Sequence, residues 1–182
     1  MLEGNAAPPL ADALSGWHDF YSLLGTASAT MVGLLFVAAT VGGGVFSSGR
    51  RAPLRVFLSA SVVNFGLLLA ACLVVLAPVR SWVLLGVLIL ACGLFGLTHS
   101  CLAWRDTLRD GLIKAIDLED RVWYIVLPIV GYLLVALSGV MLASRLELGC
   151  AALAVAMGVL LAVGLHNAWD ITVWMITRRR DG

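Results

Sequence analysis

The sequence predicts an all-α, polytopic membrane helix bundle with five transmembrane helices. Of its 182 residues, 61% are hydrophobic and 13% are charged, whereas about a quarter of the residues of soluble domains are charged. Five stretches each provide the roughly 20 largely apolar residues that a helix needs to cross a bilayer. The polar stretches between them are too short for a separate soluble domain, so residues 1–182 are predicted to form a single transmembrane domain.

The predicted spans follow one another closely along the chain. They cover residues 20–45, 54–77, 81–103, 121–143 and 147–176. Trp123 and Tyr124 mark the membrane interface at the start of the fourth span, and Pro128 is expected to bend it because proline removes one backbone hydrogen bond. Apolar residues recur at helical spacing among charges in residues 104–120, which predicts an amphipathic helix on the cytoplasmic surface.

Basic residues predict the orientation, because cytoplasmic flanks of membrane proteins collect Lys and Arg. Of the twelve basic residues, only Arg80 and Arg145 fall on one side of the five spans, and all the others fall on the opposite side. This bias places the N-terminus outside and the C-terminus in the cytoplasm. The net charge of +1 gives no reason to expect a nucleic-acid partner.

The fifth span contains His166, Asn167 and Asp170 within an otherwise apolar run. A charged side chain at the bilayer centre costs about 2.5–3.5 kcal/mol on insertion scales, so such residues usually face a bundle interior or a water-filled cavity. His166 and Asp170 are four residues apart, so they share a helix face and can share a hydrogen bond or a proton. They continue a ridge of small residues, which predicts that they face the protomer core or a subunit interface. The ridge consists of Ala154, Gly158 and Ala162.

Polar residues in other spans lie at a similar predicted depth, counted at about 1.5 Å per residue from the nearest cytoplasmic basic residue. They are Asn64, His99 and Tyr132, beside His166 and Asp170. Polar side chains at one depth can satisfy each other only if they converge inside the bundle. The sequence therefore predicts one polar layer in the cytoplasmic leaflet.

The first span carries two stripes at four-residue spacing. Gly25, Ala29 and Gly33 form a small-residue ridge that favours close helix packing. Ser22, Thr26 and Thr30 form a hydroxyl stripe. These hydroxyls could bond carbonyls of their own helix, join a neighbouring helix or line a pore. Two small-residue ridges provide more packing surface than one protomer needs, which predicts a homo-oligomer.

Three functions are compatible with the polar layer: a hydrogen-bond network that fixes helix assembly, a route for protons or small ions, and a metal or heme site. Two histidines and a carboxylate could bind a metal, but no HxxH, HxxxH or CxxC spacing supports this. No nucleophile stands beside a base in a recognisable motif and no phosphate loop is present, so we expect neither an enzyme nor a cofactor. The favoured prediction is a homo-oligomeric channel or transporter, with a non-conducting scaffold or accessory subunit as the alternative.

Two segments resemble a group of small bacterial integral membrane proteins of unassigned function. One is WHDFYSLLGTASATMVGLLFVA at residues 17–38, and the other is HNAWD at residues 166–170 followed by Trp174. The resemblance implies a multi-pass protein of the bacterial cytoplasmic membrane, with the lipid bilayer around it. It implies no activity, substrate or catalytic residue.

Overall fold

The computed structural model describes residues 9–43, 51–109 and 122–178. Within these ranges the chain folds into helices joined by short turns, which confirms the all-α prediction. The helices are α1 (Leu10–Ser15), α2 (His18–Gly43), α3 (Arg51–Leu76), α4 (Trp82–Arg109), α5 (Leu127–Ala143) and α6 (Leu148–Arg178), with a π-helical turn at Val122–Val126. The short helix α1 was not predicted; its Leu10 is buried in the hydrophobic core.

Four segments are long and apolar enough to cross a membrane. They are His18–Thr40, Trp82–Ala103, Val122–Ala143 and Leu148–Asp170. The predicted second span corresponds to α3, in which Ala60–Leu76 is a shorter apolar helix. The fold is thus compatible with a multi-pass membrane protein, whereas a fifth crossing and the orientation stay predictions.

The outer surface of the bundle carries large apolar side chains, as expected for helices that face lipid. Leu23 is 72% exposed and Val155 is 64% exposed. Soluble proteins rarely leave such large apolar areas uncovered.

Glycines bring α4 and α5 into the most extensive helix contact of the described bundle. A Cβ atom at Gly93 would lie 2.5 Å from the backbone nitrogen of Ala136, and one at Gly139 would lie 2.5 Å from that of Leu90. A Cβ atom at Gly86 would also overlap the backbone of α5. Side chains at these positions would separate the helices, so small residues permit the close backbone approach that associates helices in lipid.

The predicted small-residue ridges pack only in part within the protomer. Gly25 lies against Cys72, where an added Cβ atom would be 3.1 Å from the Cys72 Cβ atom, and Ala154 is buried. Ala29, Gly33 and Ala162 are exposed, and Gly158 is half-buried with open space at its Cβ position. Four-residue spacing identifies a smooth helix face, but it does not reveal whether the partner helix belongs to the same chain.

Two connections differ from the simplest expectation. Pro128 lies in the first turn of α5, and helical backbone continues into this turn from the π turn that directly precedes it. Residues 104–109 extend α4. The remainder of the predicted amphipathic connection lies outside the described residues.

Candidate functional site

The polar residues of α6 meet the π turn at one end of the bundle. His166 Nε2 lies 3.2 Å from Asp170 Oδ2, and the Tyr124 hydroxyl donates to the same carboxylate oxygen at 3.3 Å. The ring of Trp123 stacks on the His166 imidazole with a centroid separation of 3.9 Å and an interplanar angle of 24°. We call these four residues the His166–Asp170 cluster.

The local backbone explains why two consecutive aromatic residues both reach α6. Consecutive residues of a regular α-helix point in directions about 100° apart, since a turn contains 3.6 residues. Trp123 and Tyr124 instead lie in the π turn, whose wider i→i+5 bonding changes the direction in which successive side chains leave the backbone. Single π turns inside helices occur frequently at functional sites.

The His166–Asp170 cluster can hold and exchange a proton. The side chains of His166 and Asp170 are 31% and 36% exposed, so lipid, water or another chain can contact them. The imidazole and the carboxylate lie within ion-pair distance, so with a protonated imidazole the pair is a salt bridge, and the face of Trp123 adds a cation–π contact.

A second polar group ties three helices together. The Tyr132 hydroxyl donates to Asn64 Oδ1 at 2.8 Å, and Asn64 Nδ2 donates to the Leu160 carbonyl at 3.2 Å. Tyr132 is only 5% exposed. This Asn64–Tyr132 link joins α3, α5 and α6 through neutral groups.

Glycines make room for the link. A Cβ atom at Gly96 would overlap the Tyr132 ring, and a Cβ atom at Gly164 would lie 2.5 Å from Asn64 Nδ2. The link therefore depends on glycine at positions that themselves carry no polar group.

The single polar layer predicted from the sequence is corrected to two levels. Leu160 and His166 are six residues apart on α6, or about 9 Å along the axis. Tyr132 is ten residues into the candidate span Val122–Ala143, whereas Asp170 is the last residue of Leu148–Asp170. Counting residues from the nearest basic side chain gave similar depths for residues that lie at different levels. The reason is that each helix extends beyond its own apolar segment by a different length.

Other predicted residues join neither group by a hydrogen bond among the described residues. His99 is half-buried on α4. Asn167 is half-buried on α6, and its Oδ1 atom is buried without a hydrogen-bond partner in the described part of the chain. The metal interpretation gains no support there either, because the described residues contain no group of three or more His, Cys, Asp or Glu that could hold an ion.

The hydroxyl stripe lies on the exposed face of α2. Thr26 Oγ1 donates to the Ser22 carbonyl and Thr30 Oγ1 to the Thr26 carbonyl, both at 2.8 Å. This geometry matches the first of the three alternatives for the stripe, in which the hydroxyls bond carbonyls of their own helix. The hydroxyl oxygen atoms of Thr26 and Thr30 can still accept hydrogen bonds.

A cavity of about 10 Å³ lies beside the Asn64–Tyr132 link, and its lining is apolar apart from Tyr132. A water molecule needs at least this volume and two to four polar partners. This space is therefore too small and too apolar to provide a continuous path for water beside the link.

Comparison with known proteins adds no relative. No family model, curated protein or solved structure matches the chain. The bacterial resemblance of residues 17–38 and 166–174 stays a prediction, and any function must be inferred from the geometry of the described residues.

Proposed function

We propose that the chain forms a homo-oligomeric channel or transporter for protons or small ions in the bacterial cytoplasmic membrane. The observation that supports this most directly is the His166–Asp170 cluster, an ionisable pair about one-third exposed on an apolar helix. Facing lipid as an isolated protomer, the pair would be costly. A neighbouring subunit or a hydrated route would remove that cost.

In this proposal the conducted ion passes between protomers rather than through one. The space beside the Asn64–Tyr132 link is small and mainly apolar, which offers no aqueous route within the protomer at that level and supports that choice. On α2, the exposed stripe of Ser22, Thr26 and Thr30 and the open space at Gly33 offer a smooth, hydroxyl-bearing face to a second copy. The His166–Asp170 cluster would then stand at the cytoplasmic end of the route.

The proposed chemistry is proton exchange on the imidazole. Histidine is the side chain whose ordinary charge change falls between pH 5 and 8. When His166 takes a proton, the Asp170 carboxylate stabilises the imidazolium; when His166 releases it, the Tyr124 hydroxyl still donates to the carboxylate.

Flux through purified protein in proteoliposomes tests the proposal. Vesicles containing a pH-sensitive dye, with an imposed proton or potassium gradient, should lose the gradient with the native chain. Asp170→Asn and His166→Ala should each slow this loss by at least about tenfold, the effect expected of removing a group that transfers protons. Asp19→Asn is the matched control, because it makes the same change on an exposed carboxylate and should leave flux unchanged.

A non-conducting scaffold or accessory subunit is the second candidate, and the small, mainly apolar space beside the Asn64–Tyr132 link favours it. In that case the native chain would dissipate no gradient, and His166→Ala would alter complex formation rather than flux. Flux that survives both substitutions would instead remove the His166–Asp170 cluster from the route.

A further inference from the structure

A cleft of about 640 Å³ opens at the end of the bundle away from the His166–Asp170 cluster. Residues of α1, of the α3–α4 turn and of the α5–α6 turn line it, and its charged side chains are Arg80 and Arg145. The nearly buried Trp82 also lines the cleft. This volume lies within the range of pockets that bind small ligands.

The two arginines bring two positive charges to the cleft, and Asp12 and Glu147 are the described carboxylates closest to its lining in sequence. No carboxylate in the described ranges forms an ion pair with either guanidinium. Both side chains are exposed. A guanidinium presents a planar fork of donors that matches the oxygen atoms of a phosphate or carboxylate.

Arg145 lies in a left-handed backbone conformation, which favours glycine over arginine. Arg145 N–H donates to the Leu142 carbonyl at 2.9 Å, and Leu146 N–H donates to the Met141 carbonyl at 2.9 Å. This is the Schellman pattern that ends a helix, and its left-handed position is usually glycine. Arg145 occupies that position with φ of 60°, although a Cβ atom disfavours it. The local turn alone gives no reason for arginine.

The first turn of α4 adds a further positive contribution. Ser81, Trp82 and Val83 line the cleft, and Ser81 Oγ accepts a hydrogen bond from the Leu84 N–H at 3.3 Å. Helix N-termini carry partial positive charge and favour anions nearby. Two of the candidate spans, Trp82–Ala103 and Leu148–Asp170, begin beside the cleft, at the level where phospholipid headgroups meet a membrane protein.

We propose that Arg80 and Arg145 bind a phosphate group in this cleft. The group could belong to the headgroup of an anionic phospholipid or to a soluble phosphate. Both sources present the same chemistry to the two guanidinium groups, and they are separable by experiment.

The test uses the full chain purified in detergent. Native mass spectrometry measures retention of phosphatidylglycerol against phosphatidylcholine, and isothermal titration measures binding of inorganic phosphate. Whichever of phosphatidylglycerol and inorganic phosphate binds the native chain, Arg80→Gln should weaken its binding by at least about tenfold. This is the effect expected for loss of a charge-assisted hydrogen bond. Arg145→Gly should weaken it equally while leaving the melting temperature unchanged or higher, because glycine fits the left-handed turn. Arg105→Gln, at the opposite end of α4, is the control for net charge and should bind as the native chain does.

The outcomes separate clearly. Preferential retention of phosphatidylglycerol that inorganic phosphate cannot displace identifies a lipid site, whereas phosphate binding in lipid-free detergent identifies a soluble ligand. The proposal is overturned if the native chain binds neither probe. It is also overturned if Arg80→Gln and Arg145→Gly bind normally, or if Arg105→Gln loses as much affinity as they do.

Discussion

The Asn64–Tyr132 link and the His166–Asp170 cluster both involve α6 but differ in chemistry. The link is neutral, and its Tyr132 is only 5% exposed. The cluster is ionisable and about one-third exposed, at the end of a candidate span. Depth explains the contrast, because polar groups far from water must be satisfied internally, whereas a charge is less costly near the membrane boundary.

This comparison suggests a division of roles. The link joins three helices by two hydrogen bonds, so its loss should lower stability. The cluster is part-exposed at the end of a candidate span, so its loss should lower stability less than loss of the link.

Truncating one aromatic residue from each group should give the largest difference in stability between the link and the cluster. Tyr132→Ala should lower the free energy of unfolding by about 3–5 kcal/mol, because it empties a packed site in the core. Trp123→Ala should cost roughly 1 kcal/mol, because Trp123 is only half-buried. Denaturation in mixed detergent micelles measures both, and equal losses would contradict the proposed difference.

Removing only the hydroxyl groups is a finer test. Tyr132→Phe leaves Asn64 Oδ1 without its donor at a part-buried site, which should cost about 1–3 kcal/mol. In Tyr124→Phe, Asp170 keeps its contact with His166 and is about one-third exposed, so the change should stay within about 0.5 kcal/mol. A larger loss for Tyr124→Phe would place the cluster in the structural core.

The stacking of Trp123 on His166 provides an optical measure of the cluster. Acidification that charges the imidazole should alter the fluorescence of the stacked indole, because the new charge lies against the indole face. The signal is the native spectrum minus that of Trp123→Phe, and His166→Gln should abolish it. A difference spectrum that does not vary with pH would show that His166 does not titrate beside Trp123.

The smallest expected effect belongs to the hydroxyl stripe of α2. Thr26→Val and Thr30→Val remove hydrogen bonds to the same helix on an exposed face, so protomer stability should change by less than about 0.5 kcal/mol. Chemical crosslinking of the same variants and of the native chain measures how much oligomer each one forms. If Thr26→Val destabilises the protomer by more, the stripe packs within one chain.

The sequence predicted the helices because length and apolar composition determine them in a membrane. It also paired His166 with Asp170 correctly, since four-residue spacing on one helix fixes their proximity. Asn64 and Tyr132 were among the candidates and do meet.

The remaining site residues depend on features that spacing does not show. Trp123 and Tyr124 were predicted only as interfacial anchors, because the π turn that directs them toward α6 has no clear sequence signal. The neighbouring Pro128 was the nearest available indication of irregular backbone. The glycines of the α4–α5 contact were also missed, since Gly86 and Gly93 are seven residues apart and their partners lie on another helix.

The close contact of α4 with α5 also suggests an order of assembly. Helices inserted separately into lipid associate through packing rather than through hydrophobic attraction. Among the described helices, the pair with the most extensive contact and backbones in direct apposition is α4–α5. We expect this pair to form first after insertion and to serve as the template on which α6 and α3 dock. Helix α2, which packs mainly on α3, would join last and leave its opposite face available.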